Sequence, residues 1–381
     1  MIYLDSAATT MQKPLQVCRA VEAAMIGCGN PGRSGHRPAM QAARIVYDCR
    51  ELLAGFFGMT KPECVVFTMN ATHALNLAIR SQLHGGGHAV ISGYEHNSVA
   101  RPLESMENVR YTAVHTPVFD REALYLGIVD AVEEDTRCVI VTHVSNVFGF
   151  VLPIEELDAF CSRRGIRLII DASQSAGVLP IDVSRLKSTA FICMPGHKSL
   201  YGPQGTGVLL CCKDQTLYSL MQGGTGSDSR SLRQPEMLPD LLESGTLNVC
   251  GIAGLMEGVR HLRRVGLQTV AGKEAALAAR LADNLRQIPG VKVWYDETAH
   301  CGPVSFEAEG IPSEEVCRIL GERGFCLRGG LHCAPLAHQS AGTLEEGTVR
   351  ASFSMYNTMR EVDQLSMEVR RILSEQIGVK Q

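Results

Sequence analysis

An α/β architecture, with a large domain on a mostly parallel sheet and a smaller α+β domain, is what the pattern of this chain calls for. Between about residues 40 and 212, short β-branched runs alternate with helical patterns, as in crossover units. Each run stops where polar or glycine-bearing residues begin, and in open α/β sheets that is where ligands bind. Past residue 255 the order becomes helix, two strands, helix, strand and helix, which suits a separate unit. The 381 residues are enough for two cores.

The expected strands of the first region are Cys64–Thr68, His88–Ser92, Cys138–Thr142, Arg167–Asp171 and Ala190–Met194. In the second, Gln268–Gln287 is rich in Ala, Leu, Lys and Arg and stops before Pro289-Gly290, as a helix does. Strands are expected at Val291–Trp294, Pro303–Glu307 and Thr348–Ser354, with a helix over Ser313–Gly321. Thr358-Met359-Arg360-Glu361 has the form of a capping box and opens a last helix to about Gln376. The expected division is residues 15–255 for the large domain and residues 1–14 plus 256–381 for the small one.

Composition narrows the function classes. With 45% hydrophobic and 20% charged residues the chain reads as a folded globular protein. A net charge of −4 offers no basic field for nucleic acid or anionic lipid. The opening Met1-Ile2-Tyr3-Leu4-Asp5 is not a basic segment before an apolar run, and no stretch is long and apolar enough to span a bilayer, so the expectation is a cytoplasmic protein. Of fourteen cysteines no two stand three apart, which leaves no C-x-x-C zinc signature, and no metal is expected. Most lie in apolar runs such as Cys138-Val139-Ile140-Val141 and read as reduced, buried thiols.

Lys198 sits in the glycine-rich stretch Met194-Pro195-Gly196-His197-Lys198, directly after an apolar strand. A loop lysine is ordinarily solvated, but beside a low-dielectric strand end the charged form is disfavoured, which suits an amine for Schiff-base chemistry. Asp171 ends an earlier strand and offers an acid for a cationic ring nitrogen. In Phe67-Thr68-Met69-Asn70-Ala71-Thr72 a strand gives way to a helix, whose free N–H groups attract a phosphate. A lysine, an acid and an anion site in this order are what pyridoxal phosphate requires.

Here the chain resembles the class V aminotransferase superfamily, and within it the cysteine desulfurases and selenocysteine lyases. The resemblance runs nearly end to end, through Tyr3-Leu4-Asp5-Ser6-Ala7-Ala8-Thr9-Thr10, Glu95-His96-Asn97-Ser98, His143-Val144-Ser145-Asn146, Asp171-Ala172-Ser173-Gln174, Gly196-His197-Lys198, Glu243-Ser244-Gly245-Thr246, Arg328-Gly329-Gly330-Leu331-His332-Cys333 and Arg350-Ala351-Ser352. It implies the aspartate aminotransferase-like fold, fold type I, with bound pyridoxal phosphate. It implies that His96 stacks on the cofactor ring and moves protons, and that His197, Thr72 and Ala71 lie at its phosphate. Ala71 stands where threonine is common, and Pro195 where many members of the short-loop group carry serine. Asn146 and Gln174 correspond to amide donors toward the substrate carboxylate or the pyridine oxygen. Thr246 corresponds to a residue that reaches the phosphate from the other subunit, so a homodimer is expected.

Cys333, in a stretch dense with glycine and histidine, corresponds to the nucleophile that takes sulfur from substrate. Arg350 corresponds to the anchor of the α-carboxylate, for which a planar guanidinium suits two-point capture. The implied activity is removal of sulfur from L-cysteine, giving L-alanine and a persulfide on Cys333 that an acceptor protein would discharge. Selenocysteine lysis, another class V reaction such as transamination, epimerisation or cystine-type β-elimination, and a non-catalytic thiol redox or scaffold role stay open at this point.

Overall fold

The computed structural model describes residues 1–32, 34–227 and 229–379. In chain order its strands are β1 (Ile2–Tyr3), β2 (Val65–Thr68), β3 (Gly87–Ser92), β4 (Val109–Val114), β5 (Thr136–Thr142), β6 (Arg167–Asp171), β7 (Thr189–Pro195), β8 (Gly207–Cys211), β9 (Val291–Trp294), β10 (Val304–Ala308), β11 (Phe325–Cys326) and β12 (Val349–Ala351). The α-helices are α1 (Leu15–Gly27), α2 (Arg37–Phe56), α3 (Ala71–Leu83), α4 (Asn97–Glu104), α5 (Arg121–Asp130), α6 (Ile154–Arg164), α7 (Val249–Val265), α8 (Leu267–Arg286), α9 (Ser313–Glu322), α10 (Pro335–Ala341) and α11 (Met359–Val379).

Seven strands form the main sheet in the order β2-β8-β7-β6-β5-β3-β4. Only β8 runs against the rest, since it pairs antiparallel with both β7 and β2. All five strands expected in this region are present. Two more, β4 and β8, complete the sheet. Val109–Val114 mixes Arg110, Tyr111 and Thr112 with its apolar residues because it is an edge strand, half-exposed along most of its length. Gly207–Cys211 follows the glycine-rich lysine loop so closely that it reads as that loop's continuation.

The central strands are buried on both faces, and their side chains divide by parity. Val139, Val141, Leu168, Ile170, Ile192 and Met194 enter one hydrophobic core. Cys138, Ile140, Ile169, Phe191 and Cys193 pack on the other face, against Leu75 and Ala78 of α3. Gly207 must be glycine for a packing reason. A Cβ there would lie 2.6 Å from both the Asn70 carbonyl carbon and Thr68 Oγ1, so nothing larger lets β8 pass beneath the start of α3.

A second core gathers Leu277, Leu281 and Leu285 of α8, Val304 and Phe306 of β10, Val349 and Ala351 of β12, and Val362, Leu365 and Val369 of α11. Its sheet is antiparallel, in the order β12-β10-β9. The strand expected over Thr348–Ser354 is shorter than that run, because past Ala351 the chain turns to meet the N-terminal segment. β1 pairs with β11, Leu4 packs in this second core, and Asp5 bridges to Ser352. The capping box is present, with Thr358 N–H donating to Glu361 Oε2 at 2.7 Å and Glu361 N–H to Thr358 Oγ1 at 3.4 Å. Residue 255 lies within α7, and Val259, Leu262 and Val270 still pack in the first core.

One ion pair locks α2 to the chain ahead of α7. Arg50 Nη1 and Nη2 donate to Glu243 Oε1 and Oε2 at 2.8 Å each, and Phe67 N–H donates to Oε1 at 2.6 Å. Both side chains are buried. Glu243→Ala would leave the guanidinium unpaired, and the expected loss is about 3–5 kcal/mol. Denaturant unfolding of the variant measures it, and a loss within experimental error would show that the pair is dispensable.

Candidate functional site

A cavity of about 170 Å³ lies at the carboxyl ends of the parallel strands. It is lined by Asn70, Ala71 and Thr72 after β2, His96 and Ser98 after β3, Thr142 and Asn146 at β5, Asp171, Ser173 and Gln174 at β6, and Pro195, His197 and Lys198 at β7. Eight residues singled out in the sequence therefore share one cavity: Ala71, Thr72, His96, Asn146, Asp171, Gln174, His197 and Lys198.

Lys198 stands in a tight turn, in which Tyr201 N–H donates to its carbonyl at 2.9 Å and Gly202 N–H to the Gly196 carbonyl at 2.8 Å. The N-terminal segment clamps this turn. Thr10 Oγ1 donates to the carbonyl oxygens of His197 and Lys198 at 3.1 and 3.0 Å, and Lys13 Nζ to that of His197 at 3.0 Å. Burial, opposed by Asp171 and reinforced by Arg350, brings the Lys198 amine down to about 8. Among the described residues its ammonium has no hydrogen-bond partner. Asp171 accepts one hydrogen bond, from Ser173 N–H at 2.9 Å, and burial pushes its carboxyl above the ordinary value.

His96 caps α4. Ser98 N–H donates to its Nδ1 at 3.0 Å, which assigns the ring proton of the neutral form to Nε2. Burial, then Lys198, holds this imidazole down to about 4. Ser98 Oγ lies 2.9 Å from the same nitrogen and 2.8 Å from Thr72 Oγ1, so one hydroxyl ties α4 to α3. Gln174 Nε2 donates to the Ala7 carbonyl at 3.1 Å, and His197 Nδ1 lies 3.1 Å from Thr9 Oγ1.

Asn70 caps α3 by accepting from His73 N–H at 2.9 Å. The N–H groups of Ala71 and Thr72, also in the first turn, have no partner among the described residues and lie at the cavity, a ready anion site. The donor set thus fits pyridoxal phosphate. It pairs a desolvated amine without a partner, a buried acid with one hydrogen bond and two free helix N–H groups beside a histidine.

Three expected residues lie outside the cavity lining. Arg350, only 2% exposed, donates from Nη2 to Asp5 Oδ1 at 2.9 Å and from Nη1 to the Asn146 carbonyl at 2.8 Å. Cys333 is exposed, its carbonyl accepts from Asn97 N–H at 2.8 Å, and Arg328 Nη2 lies 3.7 Å from its Sγ. Both nevertheless connect to the cavity wall, Arg350 through Asn146 and Cys333 through the residue after His96. Thr246 is exposed and away from the cavity of its own chain.

Sequence reasoning assigned no role to Ser98, Thr142 or Ser173 in the lining, nor to Asp5 and Arg328 as partners of Arg350 and Cys333. Asp5, Ser98, Ser173 and Arg328 lie inside the motifs that carried the resemblance, but their types are common in turns and nothing local marks their partners. Among the described residues no helix is long and apolar enough to cross a membrane.

Known proteins match the chain along nearly its whole length. The family model described as aminotransferase class-V matches residues 2–365. A probable cysteine desulfurase of Methanothermobacter thermautotrophicus is 33% identical, over 97% of this chain and 94% of that protein. Probable cysteine desulfurase 1 of Mycobacterium leprae is also 33% identical over 98% of this chain, which spans 62% of that longer protein. The apo structure of a cysteine desulfurase from Thermococcus onnurineus NA1 superposes with a TM-score of 0.90 at 29% identity, covering 98% of this chain and 95% of the other. The chain belongs to the class V aminotransferase family.

Proposed function

We propose that this protein is a cysteine desulfurase that binds pyridoxal phosphate, removes sulfur from L-cysteine and releases L-alanine, with Cys333 carrying the sulfur. The observation that carries the reading is the joining of two features. A desolvated lysine and a buried acid share a cavity, and beside its wall stand a buried arginine and an exposed cysteine.

Ala71, Thr72 and His197 would hold the phosphate, Asp171 and Gln174 the ring, and Lys198 the carbonyl carbon. When bound, the cofactor supplies an electron sink for the bonds broken at the substrate's Cα and Cβ. Arg350 orients the substrate by its carboxylate, with Asn146 beside it. The Lys198 amine, its proton affinity reduced by burial, takes the Cα proton. Asp171 keeps a proton at the ring nitrogen. His96, neutral with its proton on Nε2, can donate a hydrogen bond without adding a cation to a site that already contains Lys198 and Arg350.

The Cys333 thiolate attacks the substrate sulfur. An S–S bond forms, the substrate C–S bond breaks with its electron pair left on carbon, and a proton completes alanine. Because Cys333 is exposed, an acceptor thiol on another protein can reach the persulfide. The exposed Thr246, which has no place at its own chain's cavity, supports a homodimer in which it serves the partner's site. All fourteen cysteines are free, as a cytoplasmic protein's would be.

Alanine release from L-cysteine tests the reading. Lys198→Ala is expected to abolish turnover, and Cys333→Ala to abolish it with L-cysteine while cofactor absorbance persists. Full-rate L-cysteine turnover by Cys333→Ala would overturn the persulfide assignment. For His96, nitrogen NMR is expected to show a neutral, Nε2-protonated ring from pH 8 down to 5.5, because its protonation midpoint is lowered to about 4. A midpoint near the ordinary 6.5 would show that the ring meets water instead of the buried cations.

A further inference from the structure

We propose that His332 is a positioning residue that holds Cys333 in its reactive geometry and ties it to Arg350. This rests on the reading of Cys333 as the sulfur-carrying nucleophile. His332 and Cys333 are consecutive non-glycine residues with positive φ, 50° and 57°. Residues with a Cβ seldom adopt this conformation, and two in a row persist only where the surroundings impose it.

The surroundings do so from four directions. Asn97 N–H donates to the Cys333 carbonyl at 2.8 Å, Ala334 N–H to the Leu331 carbonyl at 2.9 Å, and Asn146 Nδ2 to the His332 carbonyl at 2.9 Å. The fourth contact is the His332 ring itself, whose Nε2 lies 3.0 Å from the Thr348 carbonyl. A carbonyl only accepts, so Nε2 carries the proton and Nδ1 presents a lone pair. Among the described residues that Nδ1 is buried without a partner, and so is Nε of Arg350. After burial, Arg350 does most to keep the His332 ring uncharged.

These contacts close a ring. Arg350 Nη1 donates to the Asn146 carbonyl, Asn146 Nδ2 to the His332 carbonyl, and His332 Nε2 to the Thr348 carbonyl, two residues before Arg350 in the chain. The ring has no slack. A Cβ on Gly347 would lie 2.5 Å from the Gly330 carbonyl carbon, so the Cys333 loop is pressed against the strand that carries Arg350. His332 touches neither the cavity nor the thiol. It acts through the backbone it fixes.

The test uses the full-length, cofactor-loaded protein and three variants. His332→Ala removes the ring contact. His332→Asn tolerates positive φ but is too short for Thr348, and His332→Gln can return an N–H to the Thr348 carbonyl. His332→Ala and His332→Asn are expected to lower kcat for L-cysteine by about 10- to 100-fold, the scale of a misplaced reacting group. The iodoacetamide alkylation rate of Cys333 should shift in parallel, while cofactor absorbance stays unchanged. L-Selenocysteine, whose selenium leaves more readily, should keep its kcat within about twofold, and His332→Gln should recover most of the L-cysteine rate. Should His332→Ala fail to fold, His332→Asn and His332→Gln carry the comparison. Unchanged L-cysteine turnover, or equal losses on both substrates with unchanged alkylation, would overturn the proposal. Failure of the reading it rests on is distinct, since the unaltered protein would then release no alanine from L-cysteine, or Cys333→Ala would release it at full rate.

Discussion

A guanidinium taken out of water must have a counter-charge, and among the described residues Arg350, 2% exposed, has only Asp5 as an ion-pair partner. Leaving such a group unpaired costs about 3–5 kcal/mol, a large share of a typical domain's stability. Asp5 therefore has to be in place, and it arrives from the far end of the chain, 345 residues away. The parallel pairing of β1 with β11 and the packing of Leu4 in the second core carry it there. The same segment continues past Gln174 to the carbonyls of His197 and Lys198. One short stretch, turned at Ser6–Ala8, thus meets the arginine of the small antiparallel sheet and the lysine of the large parallel one, fixing their separation.

The large sheet supplies the rest by its direction. Parallel strands end on the same side, so residues after β2, β3, β5, β6 and β7, more than a hundred positions apart in sequence, converge without any long excursion of the chain. The antiparallel β8 contributes no lining residue. It fills the gap between β7 and β2, and because Gly207 lets it pass close beneath Asn70, the start of α3 reaches the cavity with free N–H groups.

What could be read from the chain beforehand follows the range of the physics involved. Lys198, Asp171 and the Ala71-Thr72 turn were visible because each sits at a local change of pattern, an apolar run stopping at a charged or helix-opening residue. The strands buried on both faces, β8 apart, were visible for the same reason. The edge strand Val109–Val114 was not, since its exposed face carries residues that also suit a loop. Ser98, Asp5 and Arg328 stayed unassigned because their significance is a partner, and partners set by sheet register or by the meeting of two cores leave no trace in local spacing. Arg350 owed its assignment to the family resemblance, because nothing local separates it from a generic strand arginine, and the glycine- and histidine-rich stretch around Cys333 marked it off from the cysteines of apolar runs without giving its role.

Cys333 also differs in surroundings from the strand cysteines. Cys138 and Cys193 are wholly buried in β5 and β7, where desolvation holds the thiol protonated and no reagent reaches it. Cys333 is exposed, on a loop whose backbone is bound at nearly every residue. Exposure on a closely bonded loop is an unusual pairing, since exposed loops ordinarily move. It suits a sulfur carrier that must meet a substrate on one side and an acceptor on the other. A mobile loop would swing the sulfur between them, whereas a short, strained and closely bonded loop requires both to come to the same sulfur. On the proposed reading, the acceptor must therefore present its thiol at the rim of the cavity, next to the wall that Asn146 and His96 define.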